Sequence, residues 1–517
     1  MSQKFENLKV GIDESLEEKL ALLMPGYTSY QVLRESIDAR KRHSLHRVVT
    51  VEVYGPDEAP PDRDFQIEKI NFRGSPVLIV GSGPAGLFAA LRLVERGIPC
   101  VLFERGSDAV NRLKAINRYW RYGELNLDDN VCFGEGGAGL YSDGKLMTRI
   151  KSPHIPYVLR RLVDFGAPKE IEWLANPHVG SDRIRRVIPF VRKFLLENGC
   201  TIRFNTKVTE LLTEKNRVTG LKTATGEMFH SDHVILATGH SARDMFEHLR
   251  DLGVHLEGKS FAMGLRIEHP QKLINQIQYR QFAEHPKLGS ANYKLTYHIE
   301  ETNTGIYSFC MCPGGFILSS GTDPDGVVCN GMSNYHRNSP FANSGIVVSI
   351  DYQKHFGGDV FAGLEFQRGL ERLCKQNVER AGGTKEIPAQ LAVDFMEGRL
   401  SPSLMKSSCP SGVVSARLDE LLPPFLANGI KEGLLDFERK MRGFLSPQAQ
   451  LHGIESRTSS PVRVTRNPET MQSLSHAGLY PVGEGAGYAG GITSAAVDGI
   501  KAVEAIVAQV QSQVYTH

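Results

Sequence analysis

The chain has 517 residues, of which 41% are hydrophobic and 23% are charged. This composition argues against wholesale disorder, and at roughly 150 residues per domain the length suggests about three domains. Sixty basic and 58 acidic residues leave a formal charge of +2, so the balance gives no strong nucleic-acid signal and no sign of an anionic-membrane partner.

Several features predict a cytoplasmic protein without a membrane span. The first ten residues, MSQKFENLKV, lack the basic-then-apolar pattern of a secretory signal. The uncharged stretch 76–91 is shorter than the about 20 apolar residues of a spanning helix and is interrupted by glycines and a proline. The eight cysteines form no CxxC pair, which suits a reducing compartment.

Cys310 and Cys312 are the most closely spaced cysteines. A zinc site needs four ligands, and no partner pair follows them, so no metal site is predicted. We interpret the two as ordinary packing on one face of a strand, with metal or redox use as the alternative.

Residues 1–72 are predicted to form a small N-terminal α/β domain. A strand closes at 9–12, helices are predicted over Leu16–Met24 and Ser29–Arg40, and a β-branched run over Arg47–Val53 predicts a further strand. The proline-rich segment 55–64 reads as a linker. A basic run at the end of the second helix favours a solvated face, with RNA or partner docking as the alternative: Arg40, Lys41, Arg42, His43, His46 and Arg47.

A glycine-rich turn follows the next strand, at 76–80, and precedes a helix over 86–97. In this turn Gly81 permits the tight bend, Gly83 lets the backbone approach a pyrophosphate, and Gly86 allows close packing of helix on strand. Ser82, Pro84 and Ala85 complete the loop, and the helix N-terminus offers free N–H groups to phosphates. The motif predicts dinucleotide binding.

A second strand over 100–103 ends at Glu104. An acidic residue at this position is suited to accept hydrogen bonds from a ribose diol, and it favours a dinucleotide without a 2′-phosphate. Arg105, which follows it, is a further candidate cofactor contact. This βαβ unit alone does not distinguish FAD from NAD.

Two later segments favour FAD. The apolar strand over 234–237 runs into Ala237, Thr238 and Gly239 after a meander of short strands, as in glutathione-reductase-type flavoproteins. Near the C-terminus a strand, an acidic residue and a glycine-lined helix start would bring backbone N–H groups to a negatively polarised flavin edge. The candidate contacts of this C-terminal segment are Gly483, Glu484, Gly491 and Ile492.

The chain resembles the bacterial FAD-dependent, or NAD/FAD-utilizing, dehydrogenase family of the glutathione-reductase-type fold. The resemblance runs nearly end to end and rests on FGEGGAGLYSDGKL at 133–146, ILATGHSARD at 235–244, SFCMCPGG at 308–315, ESRTSSPVR at 455–463 and GEGAGYAGGITSAAVDGIKA at 483–502. It implies bound FAD in a discontinuous Rossmann-like domain, 73–250 with 451–517. It also implies an inserted α+β substrate domain at 251–450, but no particular substrate.

The segment 134–145 also matches GxGxxG, yet no apolar helix follows it. We interpret it as a loop against the flavin ribityl and pyrophosphate, with Gly136 and Gly137 as contacts and with Ser142 and Lys145 near the ring. Lys145 could stabilise negative charge on a reduced flavin, or it could make a phosphate contact or a surface salt bridge. Leu140 and Tyr141 stand where the family pattern leads us to expect Thr and Phe.

The remaining candidates lie inside the blocks that carry the resemblance. By similarity to flavoproteins, the backbone of Val208 would face the adenine, unless it is an ordinary strand valine. His240, His298 and Arg457 are candidate substrate contacts, with a structural role as the alternative for the histidines. Arg457 could clamp a substrate carboxylate in a bidentate fork.

These observations predict an FAD-dependent oxidoreductase that transfers a hydride between a small-molecule substrate and flavin N5. No second strand–GxGxxG–helix unit is present in the sequence, so a built-in NAD(P)H domain is not expected. NAD(P)H is a candidate transient electron donor, with oxygen, a quinone or a carrier protein as the alternative redox partners. The alternatives are a flavin-containing RNA- or protein-binding module and an RNA-modifying flavoenzyme. The sequence indicates no oligomeric state.

Overall fold

The computed structural model describes residues 2–39, 45–61 and 65–514. Its first unit is an antiparallel sheet of three strands in the order β1-β3-β2, covered by one helix. Leu16 and Leu20 of the helix pack on the apolar face of the central strand. The elements are β1 Gln3–Gly11, α1 Leu16–Leu23, β2 Ser29–Asp38 and β3 His46–Tyr54.

The predicted helix over Ser29–Arg40 is wrong, because Ser29–Asp38 forms strand β2. It pairs antiparallel with β3, with Tyr30 opposite Val53. The alternating apolar residues of β3 make it a central strand that needs a neighbour on both sides, and this pairing overrides the local helix propensity of β2. Of the predicted basic run, residues 40–43 lie outside the described residues, as do 62–64 of the predicted linker.

The second unit is built on a five-stranded, fully parallel sheet in the order β22-β10-β4-β5-β6, in which β22 is the strand Leu479–Pro481 near the C-terminus. All four residues of β4 are buried, as expected for a strand covered on both faces. A three-stranded meander, β7-β8-β9, precedes β10. The elements are β4 Val77–Val80, α2 Pro84–Glu95, β5 Cys100–Phe103, α3 Ala109–Tyr122, α4 Ile155–Asp164, α5 Ser181–Glu197, β6 Thr201–Arg203, β7 Val208–Glu214, β8 Arg217–Thr223, β9 Met228–His230, β10 Val234–Leu236 and α6 Arg243–Asp251.

The third unit holds a seven-stranded sheet in the order β13-β14-β17-β12-β20-β18-β19, and a two-stranded ribbon of β15 and β16. Its core is a separate cluster of buried apolar residues between this sheet and the helices that cover it. The elements are β11 Leu256–Gly258, β12 Phe261–Pro270, α7 Gln271–Tyr279, β13 Thr296–Ile299, β14 Thr304–Cys312, β15 Gly315–Ser319, β16 Cys329–Ser333, β17 Phe341–Ile350, α8 Tyr352–His355, α9 Ala362–Arg380, β18 Ile387–Leu391, α10 Ala392–Glu397, β19 Val413–Ser415, α11 Leu418–Leu421, α12 Pro424–Lys440 and β20 Gln450–Glu455.

The chain then returns to the parallel sheet. Strand β21 (Val462–Val464) pairs with β11, β22 (Leu479–Pro481) adds to the sheet beside β10, and helix α13 (Ile492–Val514) packs against α2. This is an α/β fold with a Rossmann-like parallel sheet. Within the described ranges, no helix combines the length and apolar content that crossing a bilayer requires.

Candidate functional site

A cavity of about 380 Å³ opens at the carboxyl edge of the parallel sheet. Its floor includes the residues at the ends of β4, β5, β10 and β22: Val80, Phe103, Ala237 and Val482. Strands β14 and β16 of the third unit supply the opposite wall. Crevices outside the carboxyl ends of parallel strands are where open α/β sheets bind ligands, and the volume falls in the range of cofactor sites.

Most of the predicted cofactor contacts line this one cavity. They come from six separate segments of the chain, which the fold brings together. They are Gly81, Ser82, Gly83, Pro84, Ala85, Glu104, Arg105, Gly137, Ser142, Lys145, Val208, Ala237, Thr238, Gly239, Gly483, Glu484, Gly491 and Ile492.

Gly86 and Gly136 do not line the cavity, although Gly136 was predicted to contact the cofactor and Gly86 was predicted as the packing glycine of the dinucleotide-binding motif. A Cβ atom on Gly86 would lie 1.9 Å from the carbonyl oxygen of Gly81, so this glycine serves the packing of α2 on the turn. Gly136 has a φ of +83°, and a Cβ there would lie 2.0 Å from Leu140. Both glycines therefore shape the loops that carry the site.

Gly81 and Gly83, which do line the cavity, differ in what an added Cβ atom would meet. Gly81 has a φ of +102°, and a Cβ there would lie 2.4 Å from the carbonyl oxygen of Ala237. Gly83 is the N-cap residue of α2 and has no side chain to cap it. A Cβ on Gly83 would meet only Gly137, 3.8 Å away, and would otherwise occupy space that a ligand could use.

Two long helices begin at this cavity. Helix α2 starts at Pro84, and α13 starts at Ile492 directly after Gly490 and Gly491. The first N–H groups of a helix have no partner within it, and the helix dipole is positive at that end. Together with the open space at Gly83, these termini suit the pyrophosphate of a dinucleotide.

Glu104 is a buried carboxylate that joins three loops. It accepts hydrogen bonds from the backbone N–H of Ser82 (2.9 Å), Gly106 (3.0 Å) and Gly134 (2.9 Å), and from the Ser82 hydroxyl (2.6 Å). A ribose hydroxyl that bound to Glu104, as predicted, would have to replace one of these hydrogen-bond donors, most simply the Ser82 hydroxyl. Beside it, Arg105 lies over the Phe133 ring, 4.5 Å from its centroid.

Lys145 is held at the cavity wall by fixed partners. Its ammonium donates to the carbonyl oxygen of Met311 and lies 3.4 Å from Asp143, which also pairs with Arg337 at 2.6 Å. Burial alone would lower the pKa of Lys145, but the charge of Asp143, together with Cys310 and Cys312, outweighs burial and raises this pKa. A permanent cation therefore faces the cavity.

Glu484 also lines the cavity. Burial raises the pKa of this carboxyl to about 7, against the opposing charge of Lys259. At neutral pH it is therefore partly protonated, and it can hold or release a proton beside a bound group.

Arg457 lines the cavity, but its guanidinium already clamps a carboxylate of the protein itself. Its Nε and Nη2 lie 3.1 and 2.9 Å from the two carboxylate oxygens of Glu371. The predicted fork for a substrate carboxylate is therefore taken up by Glu371. His240 is also at the wall, and burial together with Arg457 and Arg243 lowers its pKa to about 4, so its imidazole is neutral.

His298 was predicted to face the substrate, and the structure places it elsewhere. It lies on the edge strand β13, with its Nε2 3.8 Å from Glu300, and it is not among the residues that line the cavity. Along β13 the burial alternates, and His298 falls on the exposed face.

Sequence reasoning missed part of the opposite wall, which is formed by Phe309, Cys310 and Asn330. Cys310 was interpreted as ordinary strand packing. Instead it sits in a β-bulge of β14, with a φ of +43°. The segment SFCMCPGG at 308–315 was recognisable in the sequence, but only the pairing of β14 with β17 shows that the bulge turns Cys310 toward the cavity edge.

Three family models match the chain. They are described as FAD-dependent protein, C-terminal domain-like (residues 260–458), FAD dependent oxidoreductase (168–316) and FAD binding domain (74–118). An uncharacterised protein of Clostridium beijerinckii is 38% identical over 98% of this chain and 99% of its own length. The chain belongs to the family of that protein. It is an FAD-dependent oxidoreductase, and its cofactor is FAD.

More distant similarities are partial. The FAD-dependent monooxygenase nodY2 of Hypoxylon pulicicidum is 27% identical over 40% of this chain and 45% of its own length. The crystal structure of halogenase PltM covers 86% of this chain and 70% of its own, with 10% identity and a TM-score of 0.38.

Proposed function

We propose that this FAD-dependent oxidoreductase transfers a hydride between a small-molecule substrate and flavin N5, on a glutathione-reductase-type fold. In this proposal residues 73–250 and 451–517 form the FAD domain, 251–450 form the substrate domain, and 1–72 form a small N-terminal domain. The observation that carries it is a single cavity with a glycine-lined phosphate end and an opposite wall from the second sheet.

The residues of the cavity have different roles in this proposal. Gly83 and Gly137 leave room for the pyrophosphate, and the N-termini of α2 and α13 supply N–H donors to it. Bound FAD supplies the two-electron chemistry. Lys145 offers a fixed positive charge that favours a reduced, negatively charged ring, and Glu484 can hold the proton that accompanies the electrons.

The substrate would enter from the side of β14 and β16, where Phe309 and Asn330 supply apolar surface and a hydrogen-bonding amide. NAD(P)H is proposed as a transient electron donor that binds and leaves, and the cytoplasm is proposed as the compartment. Both follow from the sequence features described above.

The test is anaerobic addition of NADH and NADPH to the purified holoprotein, followed by flavin absorbance. Prompt bleaching that slows when the transferred hydrogen of the nicotinamide is replaced by deuterium would support hydride transfer. Bands that both nicotinamides leave unchanged would contradict the proposed donor. Salt-sensitive RNA binding with an inert flavin would favour the RNA-binding alternative.

A matched pair of variants tests the role of Lys145. Lys145→Met removes the cation at the wall, and bleaching is expected to slow by about tenfold or more, because a charge beside the ring contributes at least about 1.4 kcal/mol. Lys151→Met removes an exposed lysine nearby in the chain and should leave the rate unchanged. Equal rates in the two variants would refute this role.

A further inference from the structure

Cys310 and Cys312 are placed together at the wall of the FAD cavity. Cys310 lines the cavity, and Cys312 is fully buried directly behind it. The sulfur of Cys312 lies 3.2 Å from the carbonyl oxygen of Cys310, which also accepts from Arg266 at 3.3 Å. Two thiols therefore occupy the boundary between the second sheet and the cofactor site.

The backbone at Cys310 and Cys312 departs from regular β-strand geometry. Phe309 faces Gly345 and Cys312 faces Asn343, so β14 carries one more residue than β17 between these points. The extra residue forms a bulge, and Cys310 adopts a φ of +43° that non-glycine residues rarely take. Ordinary packing of two cysteines on one strand face needs neither feature.

The two thiols are chemically unequal. The Cys312 side chain lowers the pKa of Cys310, and Lys145 and Arg266 add to this effect, while burial and Asp143 oppose it. The Cys310 side chain and burial raise the pKa of Cys312 well above its usual value. Cys310 therefore loses its proton more readily than Cys312, which is the division found in attacking and resolving cysteines.

The sulfur of Cys310 interacts electrostatically with two residues that line the cavity, Glu484 and Lys145. Its negative charge contributes to the raised pKa of Glu484, and the positive charge of Lys145 lowers the pKa of Cys310. A thiolate in this position can contact a group bound in the cavity, whereas Cys312 can be reached only through Cys310.

We propose that Cys310 and Cys312 form a redox-active dithiol, which exchanges two electrons with the FAD bound in this cavity. Oxidation joins the two sulfurs in one S–S bond. The two electrons and the proton of Cys312 pass to the oxidised flavin, and the reverse reaction regenerates thiolate and thiol. The proposal rests on FAD binding in this cavity, and it does not require the proposed hydride donor.

The two side chains are close enough to interact directly, since each thiol perturbs the pKa of the other. On a regular extended strand their Cα atoms would be about 6.5 Å apart, near the upper limit for disulfides, and the bulge at Cys310 departs from that regular geometry. Because Cys310 is the accessible sulfur, it is also the one that an external disulfide substrate would meet first, through thiol–disulfide exchange.

The experiment counts electrons in the full-length holoprotein. Air-oxidised protein is titrated anaerobically with dithionite while flavin absorbance is followed. The wild type should consume about four electrons per chain, two for the flavin and two for the disulfide. Cys310→Ser and Cys312→Ser should each consume about two, with flavin bands intact. The matched control is Cys329→Ser, which changes a buried cysteine of β16 that does not line the cavity and whose sulfur donates to the carbonyl of His452, and it should keep the wild-type count.

A second measurement needs no variant. Mass spectrometry of the peptide that contains both cysteines, after alkylation under denaturing conditions, should find it unalkylated and two hydrogens lighter in the oxidised protein. After reduction, both thiols should be alkylated. A wild-type count of about two electrons with both thiols alkylated in air-oxidised, flavin-containing protein would overturn the proposal. Flavin bleaching by NADH or NADPH is measured in a separate experiment. Its absence would count against the proposed hydride donor and would not change the interpretation of the electron count.

Discussion

Glu371 is the centre of a buried ionic clamp between two units of the fold. It lies on α9 of the third unit, and its carboxylate is 1% exposed. It pairs with Arg457 and, at 2.9 Å, with Arg243 of α6, which follows the parallel sheet. It also accepts from the Ser456 hydroxyl at 2.7 Å. Loss of this carboxylate should therefore loosen the wall of the cavity as well as the contact between the units.

The pKa of Glu371 gives the size of this effect. Burial would raise it, but the two arginines outweigh burial and lower the pKa from 4.5 to about 2. This difference corresponds to about 3 kcal/mol of stability. Since the folded-state pKa is the lower one, the contribution is complete above about pH 4.5 and is lost as the pH falls toward 2.

The perturbation is Glu371→Gln, and the assay is urea denaturation at several pH values. Near pH 7 the variant removes the carboxylate that both buried guanidinium groups share, and among the described residues it leaves them only the carboxylate of Asp323, at 2.7 Å from Arg243 and 3.6 Å from Arg457. We therefore expect a loss of about 3 kcal/mol. The difference between wild type and variant should shrink as the pH falls below about 4.5. Glu365→Gln on the same helix breaks an exposed pair with Arg368 and should cost less than about 1 kcal/mol.

The reasoning would be refuted by equal denaturation midpoints for Glu371→Gln and Glu365→Gln near pH 7. It would also be refuted by a variant difference that stays constant down to about pH 2–3, because the paired carboxylate would then not be the source of the stability.

Three further predictions address the cavity. Gly83→Ala should leave the thermal stability of the apoprotein unchanged and weaken FAD binding by about 5- to 150-fold, because one methyl group in a filled site costs about 1–3 kcal/mol. Gly86→Ala should instead lower the stability of the protein, because its Cβ would meet the Gly81 carbonyl. Fluorescence titration with FAD and thermal melts distinguish the two effects. We expect the flavin reduction rate of the wild type to change around pH 7 and Glu484→Gln to remove this change, and a pH dependence retained by the variant in stopped-flow traces would argue against it. His298→Ala should leave both FAD affinity and reduction rate at wild-type values, and a loss of either would contradict its exposed position on β13.

Much of the cavity wall on the side of the parallel sheet could be predicted from the sequence because its signals are local. The turn at Gly81 to Gly86 lies between an apolar strand and a helix, and Glu104 ends the next strand, so each role follows from position in a βαβ unit. The convergence of these segments with Gly483 and Ile492 follows from the rule that parallel strands present their carboxyl ends at one edge.

The opposite wall depends on contacts between residues far apart in the chain, which a single sequence does not indicate. Arg457 is recognisable as a polar residue in a motif, yet its partner Glu371 lies 86 positions away on another element. The bulge that turns Cys310 toward the cavity exists only in the pairing of β14 with β17. Strand β2 was mispredicted for the same reason, since its conformation is set by β3 rather than by its own residues.

The most direct test of the central claim is the stoichiometry and affinity of FAD binding to wild-type protein and to Gly83→Ala. The account predicts one FAD per chain for the wild type, with flavin absorbance in the purified or reconstituted protein, and weakened binding for the variant with its fold intact. Wild-type protein that takes up no flavin after incubation with FAD would contradict it. So would a Gly83→Ala variant that binds FAD as tightly as the wild type.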